Sequence, residues 1–250
     1  MLSSKHMFGV ATELCFAAMF VVLSIVYYLF DLGVGDVDKV FITITTFFFA
    51  IFIGFFLNRQ SSRYAKIREI ISTFDGKMQS IYRAASNINE QAFTRITGVI
   101  RHHYEKILEA KQWDYYFTHP LNTISSIHQI LEETVGGNKQ ESLRNQAIGR
   151  VLTGLADCQV LRKNMVMTSG ERITPFQWLL IYVFLGLLLV AASILPSQGF
   201  LIGSLLKAGF VTGLTATMVM LRGLDEFTFF GEMVGRHSAQ DVLDILDGKK

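Results

Sequence analysis

Residues 40–57 read VFITITTFFFAIFIGFFL, and residues 58–64 continue with NRQSSRY. The first stretch carries no charge, and its length approaches the roughly 20 residues that a helix needs to cross a bilayer core about 30 Å thick. We predict that it spans a membrane as a helix, because lipid offers the backbone no hydrogen-bonding partner outside the helix. Arg59 and Arg63 follow directly. Positive residues beside a span stay in the cytoplasm, so this end is predicted to face inward.

Three other stretches have the same apolar character, at about residues 10–30, 176–195 and 200–221. The whole chain is rich in such residues: 50% are hydrophobic and only 18% are charged, against about 25% charged in ordinary soluble domains. The composition and the four stretches together predict an integral membrane protein with four transmembrane helices. The net charge of +2 is too small to indicate a nucleic-acid partner.

The basic residues are concentrated in one region. Between Asn58 and Pro175 lie 16 of the 23 lysines and arginines, whereas the connections at 31–39 and 196–199 contain only Lys39. Because cytoplasmic loops carry the excess of positive residues, the large region and both termini are predicted to be cytoplasmic. The two short connections are predicted to face outward.

The cytoplasmic region is predicted to be helical, since its apolar residues recur at steps of three and four. No Pro or Gly occurs between Leu57 and Phe74, so the second span is predicted to continue inward as one long helix. The predicted fold is an all-α membrane protein with a helical cytoplasmic domain between the second and third spans. Its segments are 1–57 with two spans, 58–175 in the cytoplasm, 176–221 with two more spans, and a cytoplasmic tail at 222–250.

Sequence motifs for catalysis are absent. The chain has no P-loop, no GxSxG, no HExxH and no CxxC, and its six histidines do not follow a metal-ligand spacing. We therefore expect no catalytic residue, no metal site and no cofactor, and we do not expect an enzyme.

One face of the second span changes from apolar to polar along the helix. Thr43, Phe47 and Ile51 recur at steps of four, and polar residues follow on the inner side. In a ring of several copies, these three side chains would form a hydrophobic constriction of the kind that gates ions by dewetting. Periodicity alone favours the alternative that the face packs against neighbouring spans. The inner end of this candidate pore helix is marked by four polar residues: Asn58, Arg59, Ser62 and Arg63.

Charged residues near the predicted outer face form a second candidate site. Asp31, Asp36 and Asp38 could attract cations to an outer mouth, or they could equally form a solvated turn. Lys207 lies several residues inside the fourth span. A charge within the membrane is costly and often functional, but we favour the reading in which Lys207 reaches the outer interface with its long side chain.

Local motifs and the order of the segments resemble the bestrophin channels, and more closely a bacterial group of bestrophin-like membrane proteins. The resemblance rests on three stretches: residues 58–64 (NRQSSRY), residues 173–178 (ITPFQW) after Asp157 and Arg162, and residues 224–232 (LDEFTFFGE). The last is similar to an Asp-x-Pro-Phe-x-Gly element from which the Pro is missing.

The resemblance implies a pentameric ion channel, here in a bacterial inner membrane. It maps the family's neck onto Thr43, Phe47 and Ile51, with Thr43 in place of a more typical apolar residue. It implies inorganic ions, membrane lipid and further copies of the chain as partners. The tail offers only Asp241, Asp244 and Asp247, spread along a predicted amphipathic helix, so calcium gating is not expected.

Two other functions remain open from the sequence. The chain could be a non-conducting membrane scaffold or sensor whose cytoplasmic helices bind a partner, since the cytoplasmic region is nearly half of the chain. A proton-driven motor subunit also inserts a cytoplasmic region between spans. It ranks lower, because the third and fourth spans lack a convincing intramembrane acid.

Overall fold

The computed structural model describes residues 4–30, 39–110, 119, 122–135, 142–194, 201–228 and 233–249. Throughout these residues every regular element is a helix, which confirms the all-helical prediction for this part of the chain. The helices are α1 (Ser4–Leu29), α2 (Lys39–Ala85), α3 (Glu90–Ala110), α4 (Thr123–Val135), α5 (Ser142–Gly170), α6 (Pro175–Ile194), α7 (Leu201–Asp225) and α8 (Met233–Leu246).

Three helices are long and apolar enough to cross a membrane: α2, α6 and α7. They contain the predicted second, third and fourth spans. In α1 the apolar stretch with described side chains, Glu13–Leu29, is shorter than a span requires. The first span, at about 10–30, and the arrangement of four spans therefore stay predictions.

The predicted long helix is confirmed, because α2 runs without a break for 47 residues. It ends at Ala85, one turn before the apolar pattern does. Ile88 lies in the turn that follows and is still buried. Asn89 starts the next helix: its side-chain oxygen accepts the backbone N–H of Ala92 at 2.6 Å, which satisfies one of the free donors of the first turn of α3.

The chain folds into two compact units, and α2 contributes to both. Unit one comprises residues 1–60 and 173–226. Its core joins one face of α2 to α6 and α7 through Phe49, Ile53 and Phe56 on α2, Ile181 and Leu188 on α6, and Leu214, Met218 and Leu221 on α7. A smaller cluster joins α1 to α6 and α7 and consists of Tyr27, Ala192, Ala208 and Val211.

Unit two comprises residues 61–172 and 227–250. Its core draws on α2, α3, α4, α5 and α8, with fully buried residues such as Met78, Ile96, Ile127 and Val151. Helix α5 comes so close to α2 that a Cβ on Gly154 would lie 2.8 Å from Cγ1 of Ile81. The segment at 222–250, treated as a tail in the sequence, therefore places α8 inside this core through Ala239, Val242 and Leu243.

Candidate pore helix and its anchoring contacts

The candidate neck residues share an exposed face of α2. Thr43, Phe47 and Ile51 are all exposed, with Phe47 at 63% and Ile51 at 51%. The buried residues of α2 that pack against the rest of unit one are Phe49, Ile53 and Phe56. Because successive helical residues are about 100° apart, positions two apart lie about 200° from each other. The stripe thus points away from the packed face, and it does not pack against the described spans of its own chain.

The four polar residues at the inner end of this stripe separate into two groups. Asn58, Arg59 and Ser62 are exposed, whereas Arg63 is buried. Arg63 lies about 100° around the helix from Ser62. Asn58 and Ser62 therefore continue the stripe, whereas Arg59 lies about 120° around the helix from Phe47. Arg63 is turned into the core of unit two.

Arg63 holds the end of α5. Its Nε donates to the carbonyl oxygen of Thr168 at 2.9 Å, and its Nη2 donates to the carbonyl oxygen of Ser169. The last carbonyls of a helix have no partner within it and carry the negative end of the helix dipole, so a buried guanidinium satisfies both needs. The guanidinium carbon also lies 4.0 Å from the ring centroid of Phe227, whose φ of 55° is unusual for a residue with a side chain.

The outer-mouth candidates are only partly described. Asp31, Asp36 and Asp38 lie outside the described residues. Lys207 is largely buried within unit one, and its Nζ lies 5.5 Å from the ring centroid of Tyr27. The hydroxyl of Tyr27 is in turn 3.2 Å from the hydroxyl of Ser193. Lys207 therefore belongs to a polar contact between α1, α6 and α7, and its place at an outer mouth stays a prediction.

The start of α6 is fixed by hydrogen bonds that the sequence analysis did not identify. The backbone N–H of Thr174 donates to the side chain of Gln177 at 3.0 Å, and the N–H of Gln177 donates to the Thr174 hydroxyl at 3.4 Å. This reciprocal pair is a capping box, with Pro175 at the first helical position. The buried carboxylate of Asp225 accepts the N–H of Ile173 at 2.8 Å and the indole N–H of Trp178 at 3.4 Å. The signal was present as Thr-x-x-Gln in residues 174–177.

A buried carboxyl group connects α2 to two other helices of unit two. Asp75 accepts hydrogen bonds from the hydroxyl of Tyr104 on α3, at 2.7 Å, and from the hydroxyl of Ser238 on α8. Burial raises the pKa of Asp75 to about 6, although both hydrogen bonds act in the opposite direction. The only sequence signal for this contact was an acidic residue within an otherwise apolar face of the helix.

A buried histidine precedes Tyr104 on α3. Nδ1 of His103 is 3.0 Å from the hydroxyl of Thr123, which ties α3 to the start of α4. Burial lowers the pKa of His103 to about 3, so the ring is neutral at physiological pH. Within the described residues, no group of three or more His, Cys, Asp or Glu side chains is arranged to hold a metal ion.

Comparison with known proteins gives one match. No curated protein and no solved structure matches the chain. The family model described as the Bestrophin-like domain matches residues 9–226, a range that includes α2 through α7 and the whole candidate neck. A match over most of the 250 residues establishes the family. The chain is therefore a member of the bestrophin-like family of membrane proteins.

Proposed function

We propose that the protein is an oligomeric ion channel of the bacterial inner membrane in which copies of α2 surround a common pore. Thr43, Phe47 and Ile51 form its hydrophobic neck. Bestrophins are ion channels, and the family relationship supports this class of function. The resemblance to bestrophins suggests five subunits, with both termini in the cytoplasm.

The observation that carries the proposal is the exposure of the neck stripe on the side of α2 opposite its own core. A helix whose inner side packs on its own chain is free to turn its other side toward an axis shared with further copies. Lipid could also cover Phe47 and Ile51. However, the same face continues as Asn58 and Ser62, which are exposed and polar. A change from apolar to polar along one face suits a constriction that opens into a wetted passage.

Charges at the inner end are consistent with this role. Arg59 is exposed and follows Asn58, on the flank of α2 about 80° around the helix from Ile51. Repeated around a ring, it would raise the concentration of anions at the inner mouth, because a cleft with low-dielectric walls focuses the field of its charges. The region 58–175, which contains 16 of the 23 lysines and arginines, would form a cytoplasmic vestibule.

The experiment is planar-bilayer recording of the purified protein with single alanine substitutions. We expect wild type to conduct, and we expect Phe47→Ala and Ile51→Ala to increase the time spent open several-fold, because a wider and less apolar neck stays wet more readily. Phe41→Ala is the matched control. Phe41 is a phenylalanine on the same helix, is also exposed, and lies about 120° around the helix from Phe47.

The outcomes separate the proposal from its alternatives. No current above an empty bilayer, with both neck variants equally silent, would count against a channel. Equal changes in Phe41→Ala and Phe47→Ala would mean that conduction depends on the general apolar surface of α2 and not on this stripe.

The second candidate function is a non-conducting scaffold or sensor. The observation that favours it is that unit two has a large core of its own, formed by five helices. Crosslinking in native membranes would then recover a cytoplasmic partner, and deletion of residues 58–175 would abolish its binding. Recovery of such a partner with a silent bilayer would favour this function over conduction.

A further inference from the structure

A groove of about 810 Å³ lies between α3 and α4 in unit two. One wall is a single face of α3, along which Arg95, His102 and Lys106 succeed one another at helical spacing. Residues at such spacing lie on the same side of a helix. This wall therefore presents three nitrogen-bearing side chains in a row, and none of its members is acidic.

The other wall belongs to α4 and the residue before it. It presents uncharged hydrogen-bonding groups, among them Asn122, Ser126 and Gln129. His119 adds a second imidazole to the lining. No acidic side chain lines the groove among the residues that the structure describes. The groove thus has basic side chains on one side, uncharged hydrogen-bonding groups on the other, and Val99 and Ile130 as apolar contacts.

Two ion pairs border the groove. Nη1 of Arg95 lies 2.6 Å from Glu133 of α4, and Nζ of Lys106 lies 2.9 Å from Glu109 on its own helix. Both pairs are solvent-exposed, and exposed ion pairs are weak because water and salt screen them. A more highly charged anion can therefore compete for these cations at little cost.

The dimensions and lining select the class of ligand. Small-molecule sites usually measure about 300–1,000 Å³, so the groove is larger than a single inorganic ion requires. Among its described lining, apolar contact is limited to Val99, Ile130 and the stems of the longer side chains. Several donors around a wide polar space suit a ligand with many acceptor oxygens.

We propose that the α3–α4 groove is a binding site for a small phosphate-bearing anion, held by His102 and Lys106 on one side and by the amides and hydroxyls of α4 on the other. The site lies wholly within unit two and is separate from the neck stripe. Binding can be measured whether or not the protein conducts.

Gly98 provides a way to block the groove without disturbing the core. It lines the groove, and a Cβ at this position would meet nothing within 4 Å. Gly98→Gln would project a side chain into the ligand's space, while replacement of a mid-helix glycine favours the helix. Gly76→Gln is the matched control, since Gly76 is an exposed glycine of α2 with equally open surroundings and does not line the groove.

The experiment is isothermal titration of the full-length protein, in neutral detergent at low salt, with sodium pyrophosphate. We expect one site per chain, a dissociation constant at least tenfold higher in Gly98→Gln, and a comparable loss in the double variant His102→Ala with Lys106→Ala. Gly76→Gln should bind like wild type. A parallel titration with phosphatidylglycerol bicelles separates a lipid headgroup from a free phosphate compound as the source of the anion.

Binding in either titration that is lost in Gly98→Gln and kept in Gly76→Gln supports the site. Absence of binding in both titrations at millimolar concentration would overturn the inference. Binding that is equal in Gly98→Gln and Gly76→Gln would overturn it as well, because the phosphate would then lie elsewhere on the protein.

Discussion

Asp75 and His103 share one core, and burial moves their pKa values in opposite directions. The pKa of Asp75 is raised from 3.8 to about 6, and the pKa of His103 is lowered from 6.5 to about 3. The contribution of Asp75 to the free energy of unfolding is fully present below the pKa that its carboxyl group has in the unfolded chain. This contribution is lost as the pH rises through the pKa that the group has in the folded protein. The contribution of His103 to the free energy of unfolding is present above the pKa that its ring has in the unfolded chain. It is lost as the pH falls toward the pKa of the ring in the folded protein.

These two dependences should cancel between about pH 4 and about pH 6. In that range the folded state holds one proton, on Asp75, and the unfolded state holds one, on His103. We expect Asp75→Asn to leave only the pH dependence that comes from His103. The free energy of unfolding should then rise by up to about 1.4 kcal/mol for each unit by which the pH increases in this range. His103→Gln should leave only the carboxyl group and give a slope of the opposite sign.

The labelling rate of Cys158 measures this effect. Cys158 is fully buried, and burial raises the pKa of its thiol to about 12, so a thiol reagent reaches it only when unit two opens. Each variant is compared with wild type at the same pH, in a background in which the exposed Cys15 is replaced by Ala. Parallel pH profiles for both variants would contradict the opposed assignments.

A second prediction at the scale of one side chain concerns Arg63. Arg63→Lys keeps the charge but cannot reproduce a fork that donates to two carbonyls while lying on an aromatic ring. We expect it to destabilise unit two by about 1.5–3 kcal/mol, the range for hydrogen bonds to charged groups. Thermal unfolding checks this. Arg59→Lys is the control, since Arg59 is exposed and such surface changes stay within about 0.5 kcal/mol; equal melting shifts would contradict the anchoring role.

At the scale of helices, most of the predictable information lay in periodicity and in the absence of breakers. The long α2 followed from the lack of Pro and Gly between Leu57 and Phe74, and Pro175 begins α6 as expected. The end of α2 was less predictable. The apolar pattern runs on through Ile88 because a turn residue can also face the core, so a pattern of burial does not mark the end of a helix.

The close approach of α5 to α2 gives a prediction about helix packing. A methyl group at Gly154 would lie 2.8 Å from Cγ1 of Ile81, which is itself buried. We expect Gly154→Ala to destabilise unit two by about 1–3 kcal/mol through overpacking. Gly149→Ala, on the same helix and with nothing within 4 Å, should instead be neutral or stabilise by up to about 1 kcal/mol.

Thermal unfolding of the two alanine variants shows whether steric overpacking or the higher helix propensity of alanine determines the stability change at each position. Opposite signs for the two positions are expected. Stabilisation at both positions would mean that the helices separate easily at Gly154, and the close contact would then have no energetic importance.

At the scale of the whole chain, the sequence predicted which neck residues share a face but not what that face meets. Spacing alone places Thr43, Phe47 and Ile51 together, and it favoured packing against neighbouring spans. The structure leaves this face exposed in the protomer. Long-range contacts decide such questions, and single-sequence periodicity contains no information about them. The roles of Arg63, Asp75 and Asp225 were missed for the same reason, because their partners are distant in sequence.

Cysteine accessibility tests most directly whether the exposed face of α2 lines a water-filled passage. In a Cys15→Ala background, Thr43→Cys, Phe47→Cys and Ile51→Cys would be recorded in bilayers while a charged, membrane-impermeant thiol reagent is added. Phe41→Cys and Phe48→Cys serve as controls, since both residues are exposed on α2 and lie at least about 100° around the helix from Phe47. The proposed channel predicts that the reagent blocks current at the three stripe positions and leaves both controls unchanged. Block at the controls alone, or at none of the five positions in a conducting protein, would contradict it.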